Sequence, residues 1–112
     1  MLLNKAFNQG DVVTFKMVSG EEVLARYQSE TPLEYTITKP ISLTPTPNGN
    51  IGMVPTVFSA DLNTNVNLQK SAVAATATPR KEFADEYIQA TTKIKPASSL
   101  EGLINAKSSS TG

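Results

Sequence analysis

The side chains that most often carry chemistry are scarce in this sequence. Its 112 residues include no cysteine and no histidine. Thiolate nucleophiles, thiolate metal sites and disulfides are therefore excluded, along with the usual general base at neutral pH and the commonest metal ligand. What remains is two pairs of adjacent acids, Glu21-Glu22 and Asp85-Glu86, and a scatter of cations. Paired carboxylates can do acid–base work or hold Mg²⁺, but neighbours in a turn or on a helix surface face water, and no third ligand accompanies either pair. Asn48-Gly49-Asn50-Ile51-Gly52 has the glycines of a phosphate loop without its lysine or the helix that should follow. The expectation is a protein that is not an enzyme and needs neither cofactor nor metal.

Charge narrows the partners further. Lys plus Arg and Asp plus Glu number ten each, so the chain as a whole has no attraction for nucleic acid or anionic lipid, and any such binding must use a local patch. Met1-Leu2-Leu3-Asn4-Lys5 has no long apolar run behind it, which predicts neither a secretory leader nor a membrane span and a cytoplasmic location. A chain this short makes one domain with a modest core, and a β-rich unit of that size commonly covers its strand edges by oligomerising.

The elements that would position any site are organised around Asp11 to Pro40. Val13, Phe15 and Met17 alternate with Thr14 and Lys16, Ser19-Gly20 supplies a turn, and Val23, Ala25 and Tyr27 resume the alternation. This predicts a strand over about Val12 to Val18 and a second over about Glu21 to Ser29. After Thr31-Pro32, Tyr35, Ile37 and Ile41 give a third strand, in which Pro40 implies an edge or a bend. Asn48-Gly49 is a two-residue hairpin signal leading into a fourth strand over Gly52 to Ala60, with either Met53 and Val57 or Val54 and Phe58 inward. Asp61 to Asn65 reads as a polar turn. Val66, Leu68 and Val73 to Thr78 read as a last strand or strand pair.

At both ends the period is helical. Leu2, Leu3, Ala6 and Phe7 suggest a short helix stopped by Asn8-Gln9-Gly10. Thr78 can cap a helix with Pro79 at its first position, after which Phe83, Tyr87, Ala90 and Ile94 form one apolar stripe ending near Lys93 to Pro96. That helix reads first as a lid over an open end of a barrel and second as a face offered to a partner. The expected organisation is a barrel domain over 1–79, an amphipathic helix over 80–96 and a polar tail over 97–112, in which only Leu100, Leu103 and Ile104 could dock.

A short helix followed by about five curved antiparallel strands describes a small barrel, and here the sequence resembles the Sm-like family, most closely its bacterial Hfq branch. Val13, Phe15, Met17, Gly20 and Val23 stand at the spacings of that family's first motif, and Leu3-Asn4-Lys5-Ala6 is similar to the end of its N-terminal helix. Lys70-Ser71-Ala72-Val73 matches the Lys-His-Ala-Ile-like turn of the second motif, with Pro79 following. Ala25 replaces a bend-permitting glycine, Ser71 replaces the histidine, and Thr31-Pro32-Leu33 stands where the family has base-pocket residues. The segment between the third and fourth strands is longer than in Hfq, and the C-terminal helix is extra. Divergent chains of this kind resemble those encoded by tailed phages of marine bacteria, which would place the protein in the host cytoplasm.

The resemblance implies a mainly β, strongly bent five-stranded antiparallel barrel of the Sm-like, SH3-like type, with a short N-terminal helix and an added C-terminal one. It implies a homo-oligomeric ring of about five to seven subunits, closed by pairing the fourth strand of one on the fifth of the next through Val54, Val57, Phe58, Val73 and Ala75. It also implies single-stranded RNA at the pore, with Lys70 meeting phosphate, Ser71 replacing a histidine hydrogen bond, and Leu33 and Tyr35 as apolar and aromatic surface. Repetition around a ring would turn one Lys70 into a cationic rim, with Arg80-Lys81 beside it. Under this reading the protein regulates transcript stability or translation. The alternative is a protein-interaction or structural module on the same barrel and ring without RNA, favoured by neutral charge and the lost pocket residues.

Overall fold

The computed structural model describes residues 7–92, and these contain six strands, one turn of 3-10 helix and one α-helix. The architecture is built around the first hairpin. In β1 (Val12–Met17) and β2 (Glu22–Glu30), Phe15 lies opposite Val23 and Val13 opposite Ala25. These four side chains, with Tyr27 and Ile37, are buried together as one cluster. Burying each large apolar side chain is worth about 1.5–3 kcal/mol, so the alternation alone selects this face. Gly20 makes the turn possible: it sits at φ 99°, and its amide donates to the Met17 carbonyl at 2.9 Å.

The third strand, β3 (Glu34–Pro45), is internal, not an edge. It pairs with β2 on one side, while β5 (Val66–Gln69) and β4 (Ile51–Pro55) share the other. Pro40 is tolerated because it lies between those two partners, where no ladder amide is needed. Lys39 beside it adopts φ 52°, and the register with β2 shifts between Leu24 and Arg26. The strand therefore bends. Since β4 loses its partner at that bend, it ends at Pro55 and does not run on to Ala60. The expected fourth strand is thus cut short, a turn-rich segment over 56–65 follows it, and the stretch read as a last strand or strand pair is two strands, the first of them β5.

The hairpin between β3 and β4 is also longer than a two-residue turn. Gly49, at φ 87°, donates to the Thr46 carbonyl at 3.0 Å, and Thr46 donates to Asn50 at 2.8 Å. A tight turn centred on Asn48-Gly49 would need an amide from Pro47, which has none.

A one-turn 3-10 helix, Lys70–Ala72, connects β5 to β6 (Val73–Ala77), and β6 pairs with β1. The strand order is β4-β3-β2-β1-β6, with β5 on β3. This is a mainly β, six-stranded antiparallel sheet that does not close into a barrel, in place of the expected closed five-stranded one. Its outermost strands are β6 on one side and β4 and β5, which share β3, on the other.

The helix α1 (Lys81–Thr92) covers the opposite face of the sheet from the Phe15 cluster, not an open end. Tyr87, fully buried, packs on Leu24 and Ile41, with Val12, Leu43, Met53, Leu62 and Phe83 around them. Its hydroxyl donates to the Lys39 carbonyl at 2.7 Å, tying the helix to the bend in β3. The helix begins at Lys81 rather than at Pro79, with the Arg80 carbonyl accepting from the Phe83 and Ala84 amides at 3.0 Å each. The reason lies in the sheet: β6 stays paired as far as Ala77 opposite Thr14, so the next residues serve as connection. Most of the expected N-terminal helix, Ile94 and the stretch with Leu100, Leu103 and Ile104 lie outside the described residues. Phe7 is described and packs its ring 5.8 Å from that of Tyr27. No helix among the described residues is long and apolar enough to cross a membrane.

Candidate functional site

The end of the sheet where the 3-10 turn crosses from β5 to β6 gathers most of the residues singled out by sequence. The turn is pinned on both flanks: the Lys70 amide donates to the Leu33 carbonyl, and the Val18 amide to the Ala72 carbonyl, each at 2.9 Å. This places Lys70, Leu33 and Tyr35 side by side. Leu33 is 73 % exposed. Tyr35 is half-buried and turns its ring edge-on to Phe15 of the core at 5.2 Å between centroids. The Lys70 ammonium stands 4.9 Å above the centre of the Tyr35 ring, a favourable cation–π position. Ser71 follows on the same turn and is exposed, without a place in this cluster's hydrogen bonds.

Lys70 does not act alone, and its partner is the residue that the sequence did not disclose. Its Nζ lies 2.6 Å from Glu30 Oε2, and the other oxygen of that carboxylate accepts the Tyr27 hydroxyl at 2.8 Å. Tyr27 is buried in the core, so Glu30 is held from beneath. Burial, reinforced by the hydrogen bond and charge of Glu30, pushes the Tyr27 phenol up to about 12. The arrangement depends on a bulge. The register of β2 against β3 shifts between Tyr27 and Ser29, which brings Glu30 onto the face of Tyr27 and opposite Tyr35. A regular strand would have sent residues three apart to opposite faces.

The consequence corrects the expectation of a cationic rim. Each Lys70 carries its own Glu30 within ion-pair distance, so repetition around a ring multiplies a neutral pair and not a bare charge. Arg80 and Lys81 lie on the helix side and are likewise engaged, with Glu82 at 3.1 Å and Asp85 at 2.8 Å. What the end presents to solvent is the exposed Leu33 side chain beside a half-buried Tyr35 ring covered by the Lys70 ammonium.

The residues expected at a subunit contact fall on three different segments. Val54 belongs to edge strand β4 and is 38 % exposed. Ala75 is exposed on edge strand β6, whereas Val73 of the same strand packs partly into the Phe15 cluster. Val57 and Phe58 lie beyond the end of β4 in the turn-rich segment, with Phe58 80 % exposed. Neither edge strand contains a charged residue: β4 reads Ile-Gly-Met-Val-Pro and β6 reads Val-Ala-Ala-Thr-Ala.

The remaining polar features serve the fold. Glu21 accepts from Ser42, which is buried and also contacts Thr56 at 2.9 Å, while Glu22 pairs loosely with Lys16 at 3.6 Å. Asp85 is engaged by Lys81 as described, and this bond raises the Lys81 pKa. A groove of about 630 Å³ runs between the β3–β4 hairpin and α1, floored by Ile51, Met53 and Phe83 and edged by Glu82 and Glu86. No group of three or more potential metal-ligating side chains occurs among the described residues. No protein-family model matches the chain, and no curated protein matches it significantly.

Proposed function

We propose that this chain is an Sm-like subunit that assembles into a closed homo-oligomeric ring through its β4 and β6 edges, and that the ring binds single-stranded RNA at the Lys70–Tyr35–Leu33 end as a regulator of transcript stability or translation. The observation that carries the reading is the pair of unpaired, uncharged edges at the two ends of one strand order. Soluble proteins normally protect such edges with charge, proline or a covering segment; β6 has neither charge nor proline, and β4 has only Pro55 at its end. Strand β6 has only small exposed side chains, Ala74, Ala75 and Ala77, which permit close backbone approach, and β4 offers Ile51 and Val54. Head-to-tail pairing of β4 on β6 of a neighbour covers these two strand edges in every subunit, and a ring is the closed form of that contact. The 3-10 turn at Lys70–Ala72 between the last two strands also agrees with the order of the Sm-like motifs. Within this reading the bent sheet is a subunit-level version of the Sm-like barrel, with its fourth strand ending early at Pro55.

At the RNA-binding end, Tyr35 and Leu33 supply the stacking and apolar surface on which unpaired bases are held. The test is native mass spectrometry of nuclease-treated protein, followed by U-rich and A-rich oligonucleotide titration at low salt. A ring of about five to seven subunits that binds either oligonucleotide supports the proposal. A monomer refutes the assembly, and a ring without affinity refutes the RNA function.

The ion pair between Lys70 and Glu30 favours a second reading, a ring that acts as a protein-interaction or structural module without RNA. Partners captured equally before and after nuclease treatment would support it.

A further inference from the structure

We infer that Glu30 determines what this end of the protein selects, by withdrawing Lys70 from phosphate and leaving a surface that recognises bases. The inference rests on the RNA reading of the Lys70–Tyr35–Leu33 end and specifies how that end discriminates. A lysine meets phosphate as a mobile point charge on a flexible stem. Lys70 is instead fixed by three contacts: its amide on Leu33, its ammonium on Glu30 at 2.6 Å, and the Tyr35 ring at 4.9 Å. Glu30 is fixed in turn, because its second oxygen takes the hydroxyl of the buried Tyr27. The side chains of Lys70 and Glu30 are only 27 % and 37 % exposed, so salt screens this pair less than a fully solvated one.

A phosphate approaching Lys70 must therefore compete with a carboxylate already in place and anchored from the core. It also meets the repulsion of that carboxylate. A base carries no charge for that carboxylate to repel, and it meets the exposed Leu33 and the part of the half-buried Tyr35 ring that the Lys70 ammonium leaves uncovered. The ligand class that fits is thus single-stranded nucleic acid held by its bases, with little of its affinity drawn from counterion release.

Salt dependence reads this directly, since each phosphate neutralised on a single strand contributes a slope of about −0.7 in log K against log salt. Affinity for a U-rich RNA would be measured between 50 and 200 mM salt for the wild type, Glu30→Gln and Lys70→Met. The expected wild-type slope is close to zero and unchanged by Lys70→Met. In Glu30→Gln, whose amide oxygen can still accept from Tyr27, the slope steepens by about 0.7 per engaged lysine, a further loss of roughly 2.6-fold over that range. A steep wild-type slope that Lys70→Met flattens, with Glu30→Gln unchanged, would overturn the inference. A probe independent of RNA separates the two failures: the ¹³C-labelled lysine NMR signal of Lys70 under titration with tripolyphosphate. The signal should move in Glu30→Gln and stay in place in the wild type. If no RNA binds either protein, the RNA reading fails while this NMR comparison still decides the role of Glu30. A wild-type signal that moves as readily as that of the variant refutes it.

Discussion

Tyr87 offers the sharpest test of how the helix is held, because its ring and its hydroxyl do separate work. The ring is fully buried among Leu24, Ile41 and their neighbours, and the hydroxyl bonds the Lys39 carbonyl at the bend in β3. Tyr87→Phe keeps the packing and leaves that carbonyl without its donor, which costs about 1–3 kcal/mol. Tyr87→Ala removes the ring as well, and truncation of a buried aromatic costs about 3–5 kcal/mol. For a domain of this size each kcal/mol lowers Tm by about 4–8 °C, so the two variants separate clearly in a thermal melt. Urea unfolding followed by circular dichroism gives the free energies, and the slope of the transition tells whether the helix stays docked. In Tyr87→Ala a reduced slope means that α1 has already left the sheet before global unfolding. A cost below about 1 kcal/mol for Tyr87→Ala would refute the reasoning, since so small a value belongs to a surface position.

Other consequences are equally accessible. Under the ring assembly proposed above, Ala75→Lys on edge strand β6 should lower the assembly to monomers in native mass spectrometry while changing the stability of the chain by no more than about 0.5 kcal/mol. Gly49→Ala should destabilise by about 1 kcal/mol in urea unfolding, wholly from backbone strain at φ 87°, since nothing lies within 4 Å of the added Cβ. The Tyr27 phenol, raised to about 12 in the fold against about 10 in an unfolded chain, stabilises fully below pH 10. That contribution is lost as pH climbs from about 10 to about 12 because the folded state then binds the extra proton. Tyr27→Phe should accordingly flatten the fall of unfolding free energy measured across that window.

The parts of the fold that were legible in the sequence are those written in local pattern. The period-2 alternation of Val13, Phe15, Val23, Ala25 and Tyr27 marks both strands of the first hairpin and the face they bury, and the stripe of Phe83 and Tyr87 marks α1. What local pattern does not carry is register. The shift between Tyr27 and Ser29 decides that Glu30 reaches Tyr27 and Lys70, yet nothing in Tyr-Gln-Ser-Glu announces a bulge. The early end of β4 has the same origin, since the bend at Lys39-Pro40 lies on a different strand from the one it shortens. Lys70, Leu33 and Tyr35 were singled out through the family resemblance, and the 3-10 turn and the start of β3 bring them together; the pairing of Lys70 with Glu30 was not legible, because it depends on a contact between distant residues. Surface order alone also could not tell a lid over a barrel end from a layer over a sheet face.

The route of β6 back to β1 sets the order in which the molecule can be made. Strands β1 to β4 pair with sequence neighbours and can form while the chain is still emerging, but the outer side of β1 receives its partner only when Ala77 arrives opposite Thr14. Closure of that long loop is the entropically costly step, and it comes late. Until then Thr14 and Lys16 expose a strand edge next to a formed core, the kind of transient surface on which nascent chains capture one another. The Lys70–Ala72 turn, pinned on both flanks by Leu33 and Val18, delivers β6 to that edge as soon as β5 has docked on β3. The same turn thus fixes where β6 must start for its register with β1.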